Sequence, residues 1–301
     1  MTRASRYQQT LLKSLFSVIA VVPLSWLRGL GSSVGYVMWR LNGREAKVTR
    51  KNLQMCFPAF DEGRIEALSR ASLQQTGIAG LELVKVWMQP NERTLAAIKQ
   101  VTNAQLFDDK INDERGLLLM VPHLGNWEVV ALWCAGRTEM TALYQPPKQT
   151  VLEPIIKAAR ERMGNKLYPT NAGGVRAILR VLKKGGLSGL LPDQSPEREG
   201  GEFVPFYGVP ALTMTLVHGL CARTNCQVVM AYGQRIPGGF NVVFKEPDPE
   251  IFSDDLKTSL TALNRSVESC INDCPEQYQW EYKRFKRQPS SKVKVYDGKG
   301  V

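Results

Sequence analysis

Residues 116–135, Gly-Leu-Leu-Leu-Met-Val-Pro-His-Leu-Gly-Asn-Trp-Glu-Val-Val-Ala-Leu-Trp-Cys-Ala, constrain this chain more than any other stretch. The run 117–121 is apolar, too short for a helix, and bounded by Gly116 and Pro122, so it predicts a buried strand. His123 follows the proline directly. Asn126 is placed to cap the apolar, helix-forming stretch 127–135. Strand, tight turn and helix start in that order predict an open α/β sheet. Its ligands gather where strands end and helices begin, and His123 sits at such a point.

Glu128 lies five positions after His123. On one regular helix that spacing would put the two on different faces. With His123 on the turn and Glu128 in the first helical turn, the chain can fold the imidazole back onto the carboxylate. A carboxylate on one ring nitrogen fixes the tautomer and raises the basicity of the other, which suits a general base acting on a hydroxyl. The expectation is therefore a His123–Glu128 pair. An ordinary polar turn at a strand end is the alternative. The chain has only two histidines, and His218 falls in an apolar helix where packing explains it.

His123-Leu-Gly-Asn-Trp-Glu128 resembles the signature of the bacterial lipid A late (lauroyl/myristoyl) acyltransferases, a branch of the lysophospholipid acyltransferase superfamily, and further matches extend from about residue 12 to 286. Arg160 and Arg162 match an Arg-x-Arg before a glycine, and the resemblance implies that Arg160 binds substrate. Pro192-Asp193-Gln194 matches a Pro-Asp-Gln or Pro-Asp-His block, which carries a functional role onto Asp193; a turn Asp bonded to its own backbone is the other reading. The block 203–208 matches a Val-Pro-Phe-Phe-Gly segment, read as a loop shaping the lipid site. Two positions depart from the pattern. Gln145 stands where the family has Arg, leaving Lys148 as a point-charge substitute, and Tyr282 stands where His is usual.

The expected fold is α/β: a mixed, largely parallel central sheet flanked by helices, with an amino-terminal membrane-associated helix. Three regions are expected: a basic and apolar anchor over 1–50, an acyltransferase domain over 51–288, and a polar, disordered tail over 289–301. The apolar run 15–27 is shorter than the ~20 residues a spanning helix needs. Trp26, Tyr36 and Trp39 suit the depth of a membrane interface. Arg40, Arg44, Lys47, Arg50 and Lys51 follow, opposed only by Glu45, and favour an anionic cytoplasmic leaflet. Formal net charge is +11, which by itself suits a lipid surface, nucleic acid or an acidic carrier equally. The basic residues form no recognised nucleic-acid module. The six cysteines contain no Cys-x-x-Cys pair and are read as reduced thiols. Gly186-Leu-Ser-Gly-Leu is not a nucleophile elbow, because Leu190 stands where that motif needs glycine.

The resemblance implies direct acyl transfer with no cofactor and no metal: His123, oriented by Glu128, activates a hydroxyl of a lipid A precursor toward an acyl-carrier-protein thioester. The implied setting is the cytoplasmic face of a bacterial inner membrane. An acyltransferase of lysophospholipids or other lysolipids, using acyl carrier protein or acyl-CoA, would share the site. A non-enzymatic membrane-binding protein would leave His123 and Glu128 dispensable.

Overall fold

The structure is a computed structural model that describes residues 3–296 except 148, 163, 291 and 293. The expectation for Lys148 and the end of the predicted tail, 297–301, lie outside the described residues.

Pro23 breaks the amino-terminal apolar run into α1 (Arg3–Val21) and α2 (Leu24–Arg40), since proline cannot donate the bond that would continue α1. Then come α3 (Arg44–Cys56) and α4 (Glu62–Met88), whose first turn is capped by Asp61 accepting from the Arg64 N–H at 2.7 Å. α2 lies directly on α4. A Cβ at Gly35 would sit 2.0 Å from the Leu73 carbonyl oxygen, so only glycine permits that approach. The boundary expected at residue 50 falls inside α3. The amino-terminal segment is thus built into the fold through α4 rather than appended to it. No single helix among the described residues is long and apolar enough to cross a membrane. The segment Gln9–Val21 and α2 reach that length only as a pair, bent by 117°.

The polar stretch after α4 carries α5 (Asn91–Ala96), β1 (Ile98–Thr102) and α6 (Ala104–Ile111), none of which its composition announced. The central run follows: β2 (Leu117–Met120), α7 (Trp127–Ala135), β3 (Met140–Tyr144), α8 (Glu153–Arg162), β4 (Asn165–Pro169), α9 (Ala172–Leu182) and β5 (Leu187–Leu190). Next, β6 (Gly201–Phe206) and β7 (Val209–Met214) pair antiparallel as a separate two-stranded sheet, so the expected lipid-site loop over 203–208 is instead most of a hairpin. α10 (Leu216–Thr224), the hairpin of β8 (Gln227–Ile236) with β9 (Gly239–Lys245), and α11 (Leu256–Asp273) complete the order.

The main sheet runs β1-β9-β8-β2-β5-β3-β4. β8, β2, β5, β3 and β4 are mutually parallel, whereas β9 is antiparallel to β8 and β1 runs with β9. β2 is central, and both its faces are covered. Leu118 and Met120 pack with Val228, Met230 and residues of α9, α10 and α11. Leu117 and Leu119 pack with Val229, Ala231, Phe107 and Trp133. This explains the unbroken apolar run: a parallel strand buried on both sides cannot alternate with polar residues. Each such leucine contributes roughly 1.5–3 kcal/mol of burial free energy. Near the carboxyl terminus, Tyr296 falls in the stretch expected to be disordered, yet it is buried. Its hydroxyl donates to Asn52 Oδ1 at 2.6 Å and accepts from the Phe285 N–H at 3.0 Å.

Candidate active site

β2 and β5 are parallel neighbours in register Leu117↔Leu187 to Met120↔Leu190. The segments that leave their carboxyl ends therefore emerge side by side, bringing His123 and Asp193 together from 70 residues apart. His123 Nδ1 lies 2.8 Å from Asp193 Oδ1, and the His123 backbone N–H donates to Asp193 Oδ2 at 2.9 Å. Asp193 is 2% exposed. Burial alone would raise its carboxyl. The His123 charge and the two bonds from His123 outweigh that, and the carboxyl is held below its ordinary value. With the Nδ1 proton committed to Asp193, His123 Nε2 is the acceptor, and the Gln194 amide nitrogen lies 3.2 Å from it.

The expected His123–Glu128 pair is not what forms. Asp193, not Glu128, holds the imidazole. Glu128 is buried in the first turn of α7 and faces Arg160 of α8. Arg160 donates from Nε at 3.1 Å and from Nη2 at 2.6 Å to Glu128 Oε1. Burial acts to lower the Arg160 guanidinium, but the Glu128 charge and bonds overcome it and the net direction is upward. The physical reason for the swap is direction. The first turn of α7 points Glu128 across the sheet face toward α8, while His123 stays at the sheet rim, next to the end of β5.

All four residues singled out in the sequence, His123, Glu128, Arg160 and Asp193, thus gather at one rim as two pairs. Trp127 stands beside both, its ring centroid 5.0 Å from that of His123. Beneath Trp127, Glu128 and Arg160 runs a narrow cleft of about 60 Å³ between the sheet and α7 and α8, reaching Leu119, Met140 and Asn165. Its floor is low because Ala142 and Gly189 face each other on β3 and β5. The cleft is overwhelmingly apolar, with one ion pair at its mouth.

The turn carrying His123 is held from several sides. Gly125 has φ +62°, and a Cβ there would meet the Gly233 carbonyl oxygen at 2.0 Å, so both its conformation and its contact require glycine. Its N–H donates to the Gln277 carbonyl at 3.0 Å, and the Asn126 N–H donates to the Gly233 carbonyl at 2.7 Å. Asn126 does stand at the start of α7, but its side chain makes no capping bond. Arg235 donates to the Gly125 carbonyl at 3.0 Å and to Glu82 at 2.7 Å, and Arg28 of α2 donates to the other Glu82 oxygen at 2.7 Å. This buried chain of charges links α2 to the turn. Glu82, an acid among the apolar residues of α4, is the sequence signal for this chain of charges. The Tyr282 hydroxyl accepts from the Ser195 N–H at 2.9 Å and fixes the segment just after Gln194. All six cysteines are free and buried.

A partly exposed imidazole with an accepting nitrogen, near a small apolar cleft lined by an ion-paired guanidinium, can activate a hydroxyl toward a carbonyl carbon. Comparison with known proteins points the same way. A family model described as bacterial lipid A biosynthesis acyltransferase matches residues 2–287. The chain is 25% identical over 275 residues to the lipid A biosynthesis lauroyltransferase of Escherichia coli (strain K12), spanning 90% of this chain and 89% of that one. It is 24% identical over 282 residues to the palmitoleoyltransferase of the same strain, spanning 91% and 90%. With a lipid A biosynthesis acyltransferase of Haemophilus influenzae (strain ATCC 51907 / DSM 11121 / KW20 / Rd) it shares 25% identity over 292 residues, spanning 94% and 92%.

Proposed function

Because this chain belongs to the bacterial lipid A biosynthesis acyltransferase family, we propose that it moves a fatty acyl chain from an acyl-carrier-protein thioester to a hydroxyl of a lipid A precursor, with His123 as general base. It is an O-acyltransferase. His123 Nε2 takes the hydroxyl proton as the acceptor oxygen attacks the thioester carbonyl. The tetrahedral oxyanion collapses, the C–S bond breaks, and the proton passes from His123 to the departing thiolate. Asp193 keeps Nδ1 protonated and stabilises the imidazolium that forms transiently. Arg160, held by Glu128, binds the donor at the cleft mouth and offers positive charge to the growing oxyanion. Glu128 thus acts through Arg160 and not through His123. No serine or cysteine nucleophile is required.

The observation that carries this reading is the 2.8 Å contact of His123 Nδ1 with Asp193 beside an apolar cleft. The reaction belongs at the cytoplasmic face of the inner membrane. Leu11, Leu15, Val18, Val21, Trp26 and Leu30 are exposed along the bent α1–α2 pair, an apolar surface suited to the interface of a bilayer. The excess of cations, +11 overall, favours an anionic leaflet and acidic substrates. The test supplies the purified protein in detergent with acyl-carrier-protein thioesters of a series of saturated chain lengths and a phosphorylated disaccharide lipid with free hydroxyacyl chains. Mass spectrometry should show one added acyl group, absent with His123→Ala. Equal transfer by His123→Ala would refute the assignment.

A further inference from the structure

A second cavity, of about 310 Å³, opens where the amino-terminal helices meet the edge of the main sheet. Its walls come from the start of α2 at Leu24, the last turns of α4, α5, and the ends of β1 and β9 nearest Gly238. β9 is antiparallel to β8 and β1 runs with β9, so these strand ends lie on the rim that carries His123. β1 is three strands from β2, which strand spacing makes about 14 Å along that rim. The cavity shares no lining residue with the apolar cleft.

Its charge is one-sided. Lys85, Arg93 and Lys99 line it. The acid in the lining, Glu82, has both oxygens taken by Arg28 and Arg235. Among the described residues, no carboxylate forms an ion pair with Lys85, Arg93 or Lys99. Lys85 Nζ donates to the Ala20 and Val22 carbonyls at 2.6 and 2.7 Å, which leaves its third N–H over. Burial, and then the Arg93 charge, hold the Lys85 ammonium below its ordinary value, as expected of cations gathered without a counterion. A phosphate would supply the missing charge and take hydrogen bonds from a guanidinium and two ammonium groups. The place selects among phosphates. The carbonyls that hold Lys85 flank the break between α1 and α2, where Val21 and Trp26 are exposed. A lipid whose chains lie against that apolar break brings its headgroup to the cavity mouth.

We propose that this cavity binds the phosphate of an anionic phospholipid of the surrounding bilayer, held by Lys85, Arg93 and Lys99. The bound lipid is not consumed. It pins the β1 edge of the rim to the lipid surface, so that the rim bearing His123 is presented to the membrane. The inference rests on the placement of α1 and α2 at a bilayer interface proposed above, and not on the transfer step.

The test is thermal unfolding of the full chain in micelles of an uncharged detergent, alone or with phosphatidylglycerol, phosphatidylcholine or inorganic phosphate added at one concentration. Phosphatidylglycerol should raise Tm by about 3 °C or more, because it binds the folded state alone, and the other two by less than about 1 °C. Arg93→Gln with Lys99→Gln alters two exposed side chains, so it should keep the Tm of the unaltered protein in detergent alone and lose the rise. Arg40→Gln with Lys51→Gln removes the same charge from exposed positions outside the cavity and should retain it. Equal loss of the rise in both double variants would mean diffuse attraction and overturn the site. An equal rise with inorganic phosphate would overturn the lipid as its occupant. A raised KM for acyl-carrier-protein thioester or for acceptor in Arg93→Gln with Lys99→Gln, measured without added phospholipid, would give the cavity to a substrate and overturn it also. Failure of the unaltered protein to bind vesicles of any composition would overturn the interfacial placement, and the site with it.

Discussion

The rim of the sheet holds two acid–base pairs built from similar parts to different ends. Asp193 meets an imidazole, which can both take and give a proton, and the pair joins two strand ends. Glu128 meets a guanidinium, whose charge is permanent, and the pair joins two helices across the mouth of an apolar cleft. The first can move a proton. The second can only hold a charge in place. Two carboxylates that look interchangeable in the sequence thus receive different work from their partners.

The largest effect that tests this division is the loss of the imidazole. His123→Ala should lower kcat by about a thousandfold or more while circular dichroism and vesicle binding stay unaltered. Next comes Asp193→Asn, which leaves an oxygen and an amide where two acceptors stood. Transfer should fall by about a hundredfold or more, since the imidazole loses the partner that sets its tautomer. This variant also has a pH signature. The folded-state carboxyl lies below its unfolded value, so its stabilising contribution is fully present above about pH 4 and is lost as pH falls through the folded value. Urea midpoints of the unaltered protein and of Asp193→Asn should therefore differ at pH 7 and converge in acid. A gap that widens in acid would contradict the assignment.

Glu128→Gln should cost less in rate, about tenfold to a hundredfold, expressed mainly in the KM for donor. It should also destabilise. The Arg160 side chain is a quarter exposed, so the penalty should be about 2 kcal/mol, below the 3–5 kcal/mol of a fully buried broken pair. Replacing both partners, as Glu128→Leu with Arg160→Met, should restore most of that stability without restoring transfer. Denaturant melts read alongside the kinetics would separate the two roles. The smallest catalytic effect belongs to Gly35→Ala, which forces α2 off α4 far from the rim. Stability should fall by about 1–3 kcal/mol, with kcat of the folded fraction changed by less than about fivefold.

Much of this was legible from residue order. The buried strand over 117–121 and the helix after Asn126 follow from apolar runs and turn residues. The pairing of acids with bases was not. Spacing along the chain showed that Glu128 could reach His123, but nothing in the spacing reports that Asp193 arrives 70 residues later with both oxygens aimed at the same histidine. Long-range competition of that kind is settled by the register between strands. The edge strand β1 was hidden for a related reason. Its sequence, Ile-Lys-Gln-Val-Thr, has no strong alternation and becomes a strand by pairing with β9. Tyr296 sat in a polar tail whose composition masked a single residue returning to the core.

The central claim is that Asp193, and not Glu128, steadies the imidazole that does the chemistry. With only two histidines in the chain, ¹⁵N NMR of selectively labelled protein can follow His123 directly, with a His218 variant supplying the assignment. The account expects a ring protonated at Nδ1 in the unaltered protein and in Glu128→Gln, and a shift toward mixed tautomers in Asp193→Asn. A ring indifferent to Asp193→Asn but disturbed by Glu128→Gln would contradict it.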